Sequence, residues 1–220
     1  MNKENNKRSN CKDVFNSFLV NNAKYSGLYE FPQIKSSKEI PNKLIAFSKS
    51  ISNNNYNQWI HFYEDDYMFE RLWNNPKRYL KILEKYNGVI LPDFSLYRDM
   101  PFAMQLWNIY RSRAIGNWLQ SKGIQIIPNI RFGDERTYQL CCDGIEKHSV
   151  ISIGSHGTIK NRQDRYIFFK GLDVVINFLE PSTVIIYGAA PIIYFQKYQD
   201  IGIKIIQFNS DYAISHGEVI

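Results

Sequence analysis

"GVILPDFSLYRDMPFAMQLWNIYRSRAIGNWLQSKGIQIIP" (residues 88–128) decides the fold class, because it holds one complete strand–helix–strand unit. Its opening GVIL is apolar throughout, as in a strand covered on both faces. The mostly apolar run 102–121 is long enough for a helix and too polar for a membrane span. Gly123 stands where a helix ends in the left-handed conformation. Residues 124–128 are again a short apolar strand. Two strands joined through a helix form the right-handed crossover of a parallel sheet.

The same alternation extends outward in both directions. Further strands are expected at 44–47, 59–63, 150–153, 183–187 and 204–208. Helices are expected at 67–86 (as two pieces split at Asn75-Pro76), 136–147, 164–179 and 192–200. Gly202 repeats the Gly123 stop before the last strand. About seven parallel strands predict an α/β protein, barrel-like and incomplete. An open doubly wound parallel sheet is the alternative. The barrel is preferred because polar residues follow most strands, whereas an open sheet gathers function at one switch point.

Residues 1–40 read as a polar N-terminal segment with a partly flexible start, and 41–220 as one α/β domain. The net charge of +6 is split evenly between these parts, so there is no basic stripe. A phosphate-bearing small molecule or nucleic acid is a permitted partner on that charge, and oligomeric state is open. No apolar run reaches a membrane span or a signal-peptide core, which predicts a cytoplasmic protein with no membrane partner. Cys11, Cys141 and Cys142 form neither a C-x-x-C pair nor a zinc set. Cys141 and Cys142 are expected on a helix, one facing in and one out.

In either architecture, ligands meet the C-terminal ends of the strands. Those ends carry Glu64, Asp65 and Asp66; Asp93; Asn129, Arg131, Asp134 and Glu135; Ser155, His156 and Gly157; and Tyr187 and Gly188. Asp65 or Asp66, Asp99 and Asp134 each precede a helical run and have an adequate role as N-caps. Arg98 reads as loop surface. Asp93 follows Pro92 at a strand end, several residues before the next helix, so no cap accounts for it. An Asx-turn or a catalytic carboxylate does.

Arg131 could clamp an anion and hold the Asp93 carboxylate in its charged form. His156, in "GSHGTIKNRQDR", has small neighbours that let a ligand approach the backbone, with Lys160 supplying charge downstream. The catalytic candidates are therefore Asp93, Arg131, Asp134, Glu135 and His156. The ligand-binding candidates are Asn129, Ser155, Gly157, Lys160, Tyr187 and Gly188. The cofactor is open, a divalent metal being one option for this residue set. His61 alternates within a strand and reads as a satisfied core or surface histidine. Walker, H-E-x-x-H, G-x-S-x-G and G-x-G-x-x-G patterns are absent.

The block 88–138, with "ISIGSHGTIKNRQDRYIFFKGLD" and "VIIYGAAP", resembles the domain of unknown function 4417 family. The likeness spans roughly 44–209. It implies a phage or mobile-element setting in low-GC Gram-positive bacteria, and it supplies no catalytic residue. Three functions are carried forward. One is a binder, and hydrolase, of a phosphate-bearing ligand such as a nucleotide or nucleic acid. The second is a non-catalytic accessory protein that binds DNA or a host protein. The third is a carbohydrate-active barrel, which needs Asp93 to face Glu64 or Glu135 across the site.

Overall fold

The computed structural model describes residues 13–217. The expected tail at 1–10 and Cys11 lie outside them. The chain runs β1 (Tyr25–Ser26), β2 (Phe31–Pro32), β3 (Leu44–Ala46), α1 (Phe47–Ser50), β4 (Trp59–His61), α2 (Asp66–Asn74), α3 (Pro76–Leu83), β5 (Gly88–Ile90) and α4 (Phe102–Ser121). It continues with β6 (Ile126–Ile127), β7 (Asn129–Ile130), β8 (Val150–Gly154), α5 (Arg162–Leu179), β9 (Thr183–Tyr187), α6 (Ile192–Asp200), β10 (Lys204–Phe208) and α7 (Asp211–Ser215).

Two four-stranded parallel sheets form, β3-β4-β5-β6 and β7-β8-β9-β10. They meet at Pro128. Proline has no N–H for a ladder, so the extended segment 126–130 changes partner there. Ile126 and Ile127 pair with β5, while Asn129 and Ile130 pair with β8. The Pro128 carbonyl still accepts from the Ser152 N–H at 2.9 Å. Strand order follows chain order through both sheets, without the reversal that marks a doubly wound fold. No pairing joins β3 to β10 among the described residues.

Alternate residues along the strands enter two different clusters, as a two-residue period requires. Ile60, Val89, Ile126, Ile151 and Val184 pack beneath the helices. Their neighbours Trp59, Ile90, Ile127, Val150 and Ile185 form a second cluster that draws on both sheets, with Leu44 and Ile206 packed against it. Both faces of β5, β6 and β9 are therefore buried, which is why their sequences are nearly all apolar, while β10 at the sheet edge keeps Lys204 and Gln207 exposed.

The chain before β3 packs onto this body. Leu19, Phe31 and Ile34 are buried. Ser37 N–H bonds the Ile126 carbonyl at 2.7 Å, and Ser36 Oγ the Val150 carbonyl at 2.6 Å. Both acceptors lie at the first residue of a strand, so this segment occupies the N-terminal end of the sheets.

Helix α4 is the scaffold for the opposite end. Its buried face is partly polar, because it ties down the loop that carries Asp93. Ser112 donates to the Pro92 carbonyl (3.0 Å), Asn108 to that of Ser95 (2.7 Å), and Gln105 to those of Tyr97 and Met100 (3.1 Å each). Asp66 of α2 accepts from the Ser95 N–H and hydroxyl at 3.1 and 2.8 Å.

Several local expectations are corrected. Asp66 serves that loop and does not cap; Asp65 occupies the N-cap position of α2 without a side-chain cap bond. Pro101, and not Asp99, is the N-cap of α4. The helix expected at 136–147 is a set of turns with one 3-10 turn, Leu140–Cys142. Arg113, reaching from α4, takes the carbonyls of Cys141 and Asp143, and Gly144 adopts a φ of 79°. Carbonyls used this way cannot continue a helix. Cys141 and Cys142 are consequently both buried. Gly123 and Gly202 do end α4 and α6 with φ of 79° and 92°.

Candidate functional site

Five polar side chains in or just after the central strands, Tyr63, Asp93, Asn129, Arg131 and Ser152, connect. Asp93, just beyond β5, accepts from the Asn129 amide at 2.7 Å and faces Arg131 at 3.4 Å. The Asn129 carbonyl oxygen accepts from the Tyr63 hydroxyl at 2.9 Å, and that hydroxyl lies 2.6 Å from Ser152 Oγ. Tyr187 stacks on the Tyr63 ring, with centroids 4.6 Å apart, and its hydroxyl accepts the Asp211 N–H at 2.9 Å. His61 lies against both tyrosines, and its Nδ1 accepts the Tyr63 N–H at 3.2 Å.

Burial sets the protonation behaviour of this network. It raises the Asp93 carboxyl above its ordinary value, and the Arg131 charge and the Asn129 amide offset only part of that rise. Burial, then the Asp93 charge, holds the Tyr63 phenol well above its usual range. Burial pushes Tyr187 up to about 12, and pushes His61 down to about 4. His61 is thus a neutral, satisfied core histidine.

Gly154 keeps space beside this network. A Cβ there would stand 3.1 Å from the Tyr63 ring and 4.0 Å from an Asp93 carboxylate oxygen. A cavity of about 360 Å³ opens at that point. Arg131, Arg98, His156, Thr158 and Asp164 are among its polar lining, and Phe132, Ile153 and Phe168 are among its apolar walls. Arg98 and Asp164 pair across it at 2.7 Å, so Arg98 belongs to the cavity lining and not merely to loop surface. Arg131 is the link between network and cavity. Its side chain is 29% exposed, while that of Asp93 is 11% exposed.

The other candidates divide. His156 is exposed and also borders a second cavity of about 360 Å³, with Ser155, Gly157, Lys160 and Gly188. Ser155 is buried, and its hydroxyl donates to the Ala189 carbonyl at 2.7 Å. Gly188, with a φ of 118°, admits this contact; a Cβ there would sit 2.6 Å from Ser155 Oγ and 2.9 Å from the His156 nitrogen. Asp134 holds Arg136 at 2.7 Å and accepts its N–H, shaping a turn. Glu135 is 75% exposed and pairs with Lys170. Glu64 is engaged by the Ser48 N–H and hydroxyl. No group of three or more His, Cys, Asp or Glu that could hold a metal ion occurs among the described residues.

Tyr63 and Ser152 join the network without having been singled out in the sequence. Ser152 did leave a signal, as the one hydroxyl inside the apolar run "VISIG".

The family described as Domain of unknown function (DUF4417) matches residues 23–209. The chain belongs to that family. All the network and cavity residues named above fall inside the match, apart from those of α7. The Gene 1 protein of Mycobacterium phage L5 is 35% identical over 167 residues, which cover 74% of this chain and 72% of that protein. The Gene 1 protein of Mycobacterium phage D29 is 34% identical over 170 residues, covering 74% of this chain and 62% of that protein. No solved structure matches the chain. The DUF4417 fold described here is therefore an α/β fold of two parallel sheets in a phage-associated family. No helix among its described residues is long and apolar enough to cross a membrane.

Proposed function

We propose that the two sheets curve around their shared apolar cluster as one incomplete barrel, and that its C-terminal mouth binds a phosphate-bearing ligand. The chain-order pairing of the strands and the cluster drawn from both sheets support the barrel. The position of Arg131 carries the ligand assignment. It touches Asp93 loosely, at 3.4 Å, and also lines a cavity whose walls include Phe132, Ile153 and Phe168. A guanidinium in such a place suits an anionic oxygen group. A cavity of about 360 Å³ falls within the roughly 300–1,000 Å³ of small-molecule sites.

The reaction class proposed for this site is hydrolysis. Asp93, as carboxylate, accepts a proton from the attacking water. His156 supplies one to the leaving oxygen, and Arg131 holds the anionic centre. The carbohydrate assignment loses support, because Glu64 and Glu135 are engaged elsewhere. The non-catalytic assignment draws support from exposed Tyr67, Tyr166, Ile192 and Ile193, which begin the helices after the strands.

The test is thermal unfolding with inorganic phosphate, nucleoside mono- and triphosphates, each with and without magnesium. Ligand at a hundred times its dissociation constant stabilises by about 2.7 kcal/mol, a rise of roughly 5–10 °C for a chain of this size. The rise is expected to disappear in Arg131→Met. A rise of the same size in that variant removes Arg131 from the site.

A further inference from the structure

The second cavity is as large as the first, and His156 with Gly157 forms the partition between them. Its chemistry differs from that of the first. Tyr212 contributes a half-exposed ring that stacks on His216, with centroids 4.1 Å apart, and Lys160 lies 5.5 Å from its centroid. Two carboxamides, Gln207 and Asn209, line it further. They are fixed in place: Gln207 accepts the Ala190 N–H at 3.2 Å and donates to the Asn209 side-chain oxygen at 3.1 Å. That orientation leaves the Asn209 amide N–H2 to present, and it donates to nothing among the described residues. A held carboxamide beside an exposed ring is what reads and stacks an unpaired nucleobase.

We propose that the two cavities are adjacent nucleotide subsites, and that the occupant of the mouth is single-stranded nucleic acid. One nucleoside sits on each side of His156, and the linking phosphate crosses the His156–Gly157 backbone. The assignment rests on the anion site proposed above, since the phosphate of the first nucleotide is held by Arg131. Gly157 suits the crossing. It has a φ of 77°, and nothing lies within 4 Å of where its Cβ would be, so the chain there is open to a strand laid against it. Lys160, which lines the second cavity, supplies a cation for a phosphate there. Duplex is disfavoured, because paired bases cannot be splayed into two separate concavities.

The experiment is fluorescence anisotropy of a labelled thymidine decanucleotide, with thymidine monophosphate, the dinucleotide pTpT and a decamer duplex as competitors. The expected result is that pTpT competes at least tenfold better than the monophosphate, and that duplex does not compete. Tyr212→Ala and Asn209→Ala should each weaken decanucleotide binding about tenfold, the size of one lost base contact. Both should leave monophosphate binding unchanged, while Arg131→Met should weaken every ligand.

If pTpT is no better than the monophosphate and Tyr212→Ala binds the decanucleotide normally, the two-subsite assignment is overturned and the anion site stands. Duplex competing as well as single strand also overturns it. If wild type binds no nucleotide of any length, or Arg131→Met binds all of them normally, both assignments fall.

Discussion

His61 gives the chain a built-in acid sensitivity whose size follows from its surroundings. The side chain is 1% exposed, packed against the stacked Tyr63 and Tyr187 rings. Desolvation lowers its pKa from 6.5 to about 4; the nearby Asp211 charge works against this and Lys49 adds to it. Above pH 6.5 the histidine is neutral in both the folded and unfolded chains and contributes nothing to pH dependence. Below 6.5 the unfolded chain takes up a proton that the folded chain refuses until about pH 4. Stability is therefore lost as pH falls through that window, by about 2 kcal/mol at pH 5 and about 3 kcal/mol at pH 4. His61→Asn removes the titration and keeps an oxygen where Nδ1 accepts the Tyr63 N–H. Urea unfolding of both proteins at pH 7.5, 6 and 5 is the assay. The variant costs packing at every pH, so the informative quantity is the change with pH. The loss between pH 7.5 and 5 is expected to be about 2 kcal/mol smaller in His61→Asn than in wild type. Equal losses in the two proteins would refute the neutral buried histidine.

Other substitutions probe the site and its scaffold. The folded Asp93 carboxyl titrates above its unfolded value, so its ionisation costs stability as pH rises through that interval. Asp93→Asn is expected to be more stable than wild type at pH 7, an advantage that fades as the pH falls through the Asp93 titration in a melting series. Arg113→Met should cost about 3 kcal/mol in denaturant unfolding, because the Cys141 and Asp143 carbonyls lose their partner inside the core. Gly123 and Gly144 share a φ of 79°, but only Gly144 is crowded, with the Pro32 carbonyl oxygen 2.6 Å from a built Cβ. Gly123→Ala should cost about 1 kcal/mol and Gly144→Ala roughly 2–4 kcal/mol; equal melting temperatures would contradict the crowding.

The inner strands were legible because both their faces are buried, so that "GVIL" and "TVIIY" carry no polar alternation to misread. Gly123 and Gly202 marked helix ends because only a left-handed residue fits there. The 136–147 segment departs from its helical pattern for a physical reason. Its apolar and polar spacing is helical, but its carbonyls belong to Arg113, a residue distant in sequence. Asp66 and Asp99 looked like caps from their neighbours alone. The actual use of Asp66, on Ser95, is set by how α2 packs against the following loop.

At the site, Asp93 stood out because nothing local accounted for it, and Arg131 and Asn129 do meet it. The contributions of Tyr63 and Ser152 depend on which strand faces lie opposite each other, which short apolar runs do not record. The β1–β2 hairpin, with two-residue strands, left no periodicity to detect.

Binding at the strand C-terminal mouth through Arg131 is the central claim, and a crystal structure of the protein with a bound nucleoside monophosphate tests it most directly. Density for the phosphate within hydrogen-bond distance of the Arg131 guanidinium, in the cavity that His156 borders, is the predicted result. A phosphate seated elsewhere, with Arg131 still turned to Asp93 alone, would contradict it.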